Sequence, residues 1–202
     1  MGIGRGFSRI VLAAATLALA MPAAAQFSDS YSFLKAVKDA DGEKAMTYLN
    51  KPGQPVLNAR DSGTGDTALH IVIRRHDMTW LGFLIGRGAQ TELRDRDGNT
   101  PLMTAVQLSD AAATRLLLQA GAKPNAANSR GETPLIIAVQ HRDLPIIRML
   151  LAEGADPKIP DTIAGKSAHD YAAEDRRSDT VLKLLDETKP KPAKVISGPV
   201  RP

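Results

Sequence analysis

The sequence predicts an all-α solenoid of stacked helix-turn-helix units with projecting turns, about five helix pairs including two caps. The first observation is a segment that recurs every 33 residues, starting at Gly65, Gly98 and Gly131, and once more, one residue late, at Gly165. The second is a Gly-Ala pair with the same spacing, starting at residues 88, 121 and 154. The third is composition: aromatic residues are 4% and cysteine is absent, which favours helices packed through Ala, Leu, Ile and Val.

The first 25 residues are predicted to be a secretory signal peptide outside the solenoid. Arg5 and Arg9 precede an apolar run from Ile10 to Ala20, and residues 23–25 offer a small-residue cleavage site. The run is shorter than the roughly 20 residues that span a bilayer, which argues against a membrane anchor. Without a cysteine for lipidation or a paired arginine, we expect a periplasmic protein with no stable membrane insertion after cleavage. Secretion to the medium is the less favoured alternative.

Charge argues against a nucleic-acid partner. The whole chain has a formal net charge of +4, but the predicted signal peptide holds two arginines and no acidic residue, so the mature chain carries +2. A small excess of this kind is a poor signal for nucleic acid. We therefore expect none to bind.

Residues 26–57 are predicted to form an N-terminal capping helix pair. Apolar residues at Phe33, Leu34 and Val37 lead into Asp41-Gly42, and a second apolar group follows at residues 45–49. This segment lacks the recurring Thr-x-Leu of the later units. A terminal unit of a solenoid differs in this way because it covers a face that would otherwise be exposed.

Each later unit opens with a helix N-terminus. Thr67, Thr100, Thr133 and Ser167 carry hydroxyls that can accept from unpaired amides at a helix start. Proline follows two of them, at the first helical position, where no amide hydrogen is needed. A second, denser apolar helix is predicted in every unit, and three of these helices stop at the Gly-Ala pair.

The motifs closely resemble the ankyrin repeat. The nearest matches are Thr133-Pro134-Leu135 and the Leu-Leu-x-x-Gly-Ala-Asp pattern at residues 150–156. The resemblance implies repeats over about 58–188, at 61–93, 94–126, 127–160 and 161–188, the last acting as the C-terminal cap. The turns that start at Asp61 and Asp161 are one residue longer than the family pattern, which leaves their hairpin geometry open.

Candidate catalytic and metal-binding groups do not converge in the sequence. His70 occupies the family's Thr-x-Leu-His position, and the resemblance implies a structural role there. The other three histidines fall in different repeats without metal-ligand spacing, and the recurrent acids lie in turn-forming positions. The glycines at residues 2, 4 and 6 lie in the predicted signal peptide and form no phosphate loop, and no phosphate loop, nucleophile elbow or dinucleotide fingerprint appears elsewhere. We expect no metal, no cofactor and no enzyme.

The resemblance implies function on the concave surface made by the turns and first helices. We expect a monomer that binds another protein there, as a scaffold, an inhibitor or an immunity-type protein. Its arginines weakly favour an acidic partner. The predicted contact residues are Arg74, Arg75, Arg96, Asp97, Asn99, Gln107, Leu108, Ser129, Arg130, Glu132, Gln140 and His141.

The segment 189–202 is predicted to be a disordered tail. It begins Lys189-Pro190-Lys191-Pro192 and contains no acidic residue. Such a segment cannot bury enough apolar surface to fold alone. An inert tail and a tail that attaches the protein to an anionic envelope surface are the two alternatives, and the second is our alternative function for the chain.

Overall fold

The computed structural model describes residues 23–52 and 56–187, with side chains from residue 29 onward. Helices α1 (Ala23–Lys38) and α2 (Gly42–Leu49) precede a short 3-10 helix at Val56–Asn58. Four helix pairs follow: α3 Ala68–Arg74 with α4 Met78–Gly86, α5 Pro101–Gln107 with α6 Ala111–Gln119, α7 Pro134–Gln140 with α8 Leu144–Ala152, and α9 Ala168–Glu174 with α10 Asp179–Glu187. Within residues 23–52 and 56–187 no strand forms, although two isolated β-bridges occur there. The all-helical solenoid is confirmed.

Most of the predicted signal peptide and the predicted tail lie outside the described residues. The described chain starts at Ala23, and α1 runs through the predicted cleavage site before residue 26. The described part ends at Glu187. The signal peptide and the tail stay predictions.

The helix pairs stack in chain order. Each first helix contacts the next first helix, from α3 through α5 and α7 to α9, and α4, α6, α8 and α10 follow one another in the same way. Helix α1 packs against both α2 and α3 and so begins the stack. One continuous apolar core runs through all the units, with Phe33, Leu69, Leu102 and Leu135 at no more than 1% exposure. Burial between neighbours is the main stabilising contribution in such a stack.

Polar caps set the starts of the first helices as the sequence predicts. The hydroxyl of Thr100 accepts from the amide of Met103 at 3.4 Å, and that of Thr133 accepts from Ile136 at 3.3 Å. Pro101 and Pro134 lie at the first helical position of the same two helices. The hydroxyl satisfies an amide that has no partner within the helix.

The linkers between first and second helices follow a rule that sequence analysis missed. In the first three repeats a non-glycine residue takes a left-handed conformation, with φ of 55° at His76, 52° at Ser109 and 54° at Arg142. An aspartate then caps the second helix; Asp110, for example, accepts from the amide of Ala113 at 2.9 Å. Left-handed conformations cost non-glycine residues about 1–2 kcal/mol, so packing and the cap must offset that strain.

Candidate binding surface

Four projecting turns form one edge of the solenoid. We call them fingers: finger one is 61–66, finger two 95–99, finger three 128–132 and finger four 161–166. The amide of Arg96 donates to the carbonyl of Thr64 at 2.9 Å, linking fingers one and two. Ser129 donates to Asp97 at 3.0 Å and Thr162 to Arg130 at 2.9 Å, linking the later fingers. The fingers are therefore one hydrogen-bonded edge, although no regular strand forms among the described residues.

Close approach of neighbouring fingers explains two of the recurring glycines. A Cβ on Gly98 would lie 2.6 Å from the amide nitrogen of Ser129, and a Cβ on Gly131 would lie 2.5 Å from that of Thr162. Both glycines also have positive φ, at 80° and 76°. Only glycine combines that conformation with the missing side chain that lets the next finger approach.

A buried polar network supports the fingers from below. Asn99 is 5% exposed, and its amide donates to a carboxylate oxygen of Asp95 at 2.8 Å. Its side-chain oxygen accepts from Asn128 at 3.2 Å, so the network crosses from finger two to finger three. Asn128 also donates to Glu132 at 2.8 Å. Because these buried groups are hydrogen-bonded, fingers two and three are held in one arrangement.

Five predicted contact residues are engaged within the protein itself, and one of them is Glu132, whose side chain is 15% exposed and accepts from Asn128 and Arg130. Arg74 lies 3.5 Å from Asp66 and 3.6 Å from Asp95, and Gln107 donates to Asn99 at 3.3 Å. Arg75 donates to the carbonyl of Val37 and to the carboxylate of Asp77. Asn99 is buried, so it is a supporting residue rather than an exposed contact. The sequence shows spacing but not which side chains pair, and their internal bonds were therefore missed.

The finger tips carry the exposed charges of the predicted set. Arg96 donates to the carbonyl of Ser62 at 2.7 Å and stays exposed, as do Asp97 and Ser129. The side chain of Arg130 is 58% exposed and bonds Glu132 at 2.7 Å. That hydrogen bond raises the pKa of Arg130 above its ordinary value. The tips of fingers two and three thus present arginines whose positions are fixed by local contacts.

Three predicted residues lie exposed along the ends of the first helices. Leu108 is 39% exposed at the end of α5, and Gln140 and His141 are exposed at the end of α7. Within the described residues none of these three side chains makes a hydrogen bond or ion pair. They lie at the opposite ends of the first helices from the fingers and are available for a partner.

Ile163, at the tip of finger four, is an exposed residue that sequence analysis missed. It is 77% exposed, more than any other large apolar residue among the described residues. The carboxylate of Asp161 holds this finger to α9 by accepting from the hydroxyl of Tyr171 at 2.7 Å. The same bond raises the pKa of Tyr171 to about 12 and lowers that of Asp161. The available signal was a large apolar residue in a predicted turn, between Thr162 and Ala164.

His70 is structural, as the resemblance implies. Its ring is fully buried, Nδ1 accepts from the amide of Thr67 at 3.1 Å, and Nε2 lies 3.1 Å from the carbonyl of Asn99 in the next repeat. Burial lowers the pKa of this histidine from its ordinary 6.5. The neutral ring therefore joins one helix start to the neighbouring finger.

The described residues contain no group of three or more His, Cys, Asp or Glu side chains placed to hold a metal ion. Among their helices, none combines the length and apolar character needed to cross a bilayer.

These features define a repeat solenoid with a supported, exposed finger edge. A family model described as ankyrin repeats (3 copies) matches residues 24–128 and 113–194. The matched segments cover most of the sequence, and the chain belongs to the ankyrin-repeat family. Ankyrin repeats are generally protein–protein interaction modules.

Proposed function

We propose that this chain is a non-enzymatic binding module that recognises another protein through its concave surface. We place its action in the periplasm, where it serves as a scaffold, an inhibitor or an immunity-type protein. The observation that carries the proposal is the hydrogen-bonded finger edge. Its three inter-finger backbone bonds, at 2.9, 3.0 and 2.9 Å, hold exposed side chains of different repeats in fixed relative positions.

A preorganised surface supports binding because less conformational entropy is lost when the partner arrives. The buried network around Asn99 and Asn128 adds to this order. In contrast, catalysis needs polar groups that converge on a reacting atom. The exposed groups on the concave face are spread over several repeats.

The exposed groups favour a partner segment with both acidic and apolar side chains. Arg96 and Arg130 present guanidinium groups at the finger tips, and arginine pairs well with carboxylates. Leu108 and Ile163 add exposed apolar contacts on the same repeats and at finger four. Asp97 and Glu132 lie close to the arginines and restrict which acidic groups can approach.

The first experiment is affinity capture from periplasmic extract with the chain from residue 26. A test variant changes Arg96, Arg130 and His141 to alanine. A matched control changes Arg115, Arg148 and Lys183 to alanine; these are exposed cations at equivalent positions of α6, α8 and α10. Circular dichroism verifies that both variants keep their helices.

We expect the unchanged chain and the control to capture the same partner, and the test variant to bind it about tenfold or more weakly. Interface arginines often contribute more than 1 kcal/mol each, and 1.4 kcal/mol corresponds to a tenfold change in affinity. Equal binding by the test variant, or equal loss in the control, contradicts a concave-face site.

A further inference from the structure

In each of the first three fingers, the backbone beside the glycine is covered by one residue of the next finger. We call this stretch of backbone the edge of the finger, and the residue that covers it the filling residue. That residue donates its amide to the carbonyl of the residue before the finger's glycine. It also lies over the glycine, where a Cβ would come within 2.5–2.8 Å of its nitrogen. The glycine and filling residue are Gly65 with Arg96, Gly98 with Ser129, and Gly131 with Thr162.

Finger four has the same edge, but the described residues leave it open. Gly165 has φ of 65° like its counterparts, yet, apart from its two chain neighbours, no described residue has an atom within 4 Å of a Cβ built on it. No described residue donates to the carbonyl of Ala164, and Ile163 beside it is 77% exposed. Asp161 still orders the turn by accepting from the amides of Ile163 at 2.9 Å and Ala164 at 2.6 Å. The acceptor and the gap over glycine are therefore already formed.

The chain path identifies what can fill this edge. In the first three repeats the filling residue comes ten positions after the end of the second helix: Arg96 after Gly86, Ser129 after Gln119, and Thr162 after Ala152. Helix α10 ends at Glu187 and packs against α8, as the preceding second helices pack against one another. The same count from Glu187 reaches Ser197.

The chemistry of the following segment fits the edge. Val195 and Ile196 directly precede Ser197 and can contact the exposed Ile163. Residues 188–202 contain four basic residues and no acidic one, whereas residues 161–187 contain seven acidic and four basic residues. Opposite net charges attract the segment to the last repeat. The ankyrin match also runs to residue 194, beyond the end of α10.

We infer that residues 188–202 dock on the open edge of finger four, with the amide of Ser197 donating to the carbonyl of Ala164 and Ile196 contacting Ile163. The segment follows the path that the preceding repeats use to reach their next finger. It thereby covers the last repeat and extends the finger edge by one backbone segment. This inference does not depend on the proposed partner-binding function.

The absence of cysteine from the chain makes a disulfide test specific. In the full chain, Ala164→Cys combined with Ser197→Cys places one thiol beside the open carbonyl and one on the predicted filling residue. The matched control is Arg130→Cys with Ser197→Cys, because Arg130 is the counterpart of Ala164 in finger three, where Thr162 already fills the edge. The rate of intramolecular disulfide formation is measured at low protein concentration under a mild oxidant.

We expect the first pair to close at least about tenfold faster than the control pair. An undocked segment would close both pairs at rates within about threefold, because loop-closure cost changes slowly with loop length. Rates that close to each other overturn the inference. A disulfide that joins two chains, seen as a dimer on a non-reducing gel, also overturns it and assigns the edge to a second copy.

A third variant tests the apolar contact. Ile163→Ser in the first cysteine pair should slow closure to the control rate, and it should leave the fold unchanged because the side chain is exposed. Circular dichroism checks the fold. An unchanged rate overturns the assigned contact between Ile163 and Ile196.

Discussion

The inner repeats, which are the second and third, and the outer repeats, which are the first and fourth, start their first helices by different means. The inner repeats place Pro101 and Pro134 at the first helical position, whereas the outer repeats have Ala68 and Ala168 there. Proline restricts the backbone to a helical φ before folding. The inner helices therefore begin with a residue that is already constrained.

The outer repeats use a side chain instead. Two positions after the alanine, Nδ1 of His70 accepts from the amide of Thr67, and the carboxylate of Asp170 accepts from the amide of Ser167 at 2.9 Å. The inner repeats have buried Met103 and Ile136 at the same position. The outer helices are thus started by reciprocal hydrogen bonds of the capping-box type.

The inner and outer repeats also differ in the length of their fingers. The two longer turns belong to the outer repeats, and each closes with an isolated antiparallel bridge, Arg60 with Thr67 and Pro160 with Ser167. The same helix-turn-helix backbone therefore begins with a conformationally restricted proline in the inner repeats and with hydrogen-bonded polar side chains in the outer repeats. Only the second route carries titratable groups, so pH should act on the outer repeats.

The largest expected effect is a difference in stability between a glycine substitution in finger three and the same substitution in finger four. Gly131→Ala should destabilise the protein by about 2–5 kcal/mol, because it adds left-handed strain to a clash with the backbone of Thr162. Gly165→Ala should cost less, namely the strain of about 1–2 kcal/mol and the docking of the terminal segment, because that segment can leave its edge whereas a finger cannot leave the solenoid. Urea unfolding measures both. Equal costs would show that the two edges are equally filled and fixed.

The next effect is a pH dependence from His70. Burial lowers its pKa in the folded protein below 6.5, so the unfolded chain takes up the proton first as the pH falls. Its contribution to stability is complete above about pH 6.5 and declines below it until the folded pKa is reached, by at most about 1.4 kcal/mol per pH unit.

His70→Met imitates the inner repeats and should remove that slope. It should also cost about 1–3 kcal/mol at pH 7.5, because the amide of Thr67 loses its acceptor. Urea unfolding between pH 5 and 7.5 measures both effects, with His141→Met as the exposed control. A slope in His70→Met equal to that of the unchanged protein would exclude His70 as its source.

The smallest expected effect is a gain in stability. Ala68→Pro gives the first repeat the helix start of the inner repeats, and the extended backbone of Thr67, at φ −90° and ψ 172°, is compatible with a following proline. The midpoint of urea unfolding should rise, corresponding to about 0.4–1 kcal/mol, because the unfolded chain loses freedom. A lower midpoint would show that the capping arrangement around His70 does not tolerate the ring.

Local patterns were sufficient to predict the repeat architecture. The 33-residue spacing, the hydroxyl caps and the two prolines each correspond to a helix start in the structure. The left-handed linkers were not predicted, because Ser109 and Arg142 are not residue types that favour that conformation and only His76 is of a type enriched there. Asn99 was assigned to the exposed surface because spacing alone does not show that its side chain bonds Asp95 and Asn128.

The sequence by itself determined the family, the order of helices and the positions of the fingers, because these depend on motifs that act within about one repeat. The tertiary structure alone decided which concave side chains are exposed and which are engaged internally. It also showed that Ile163 projects beside an edge that no described residue fills. Such features depend on the contact between one repeat and the next, and residues 33 positions apart meet only when the solenoid is stacked.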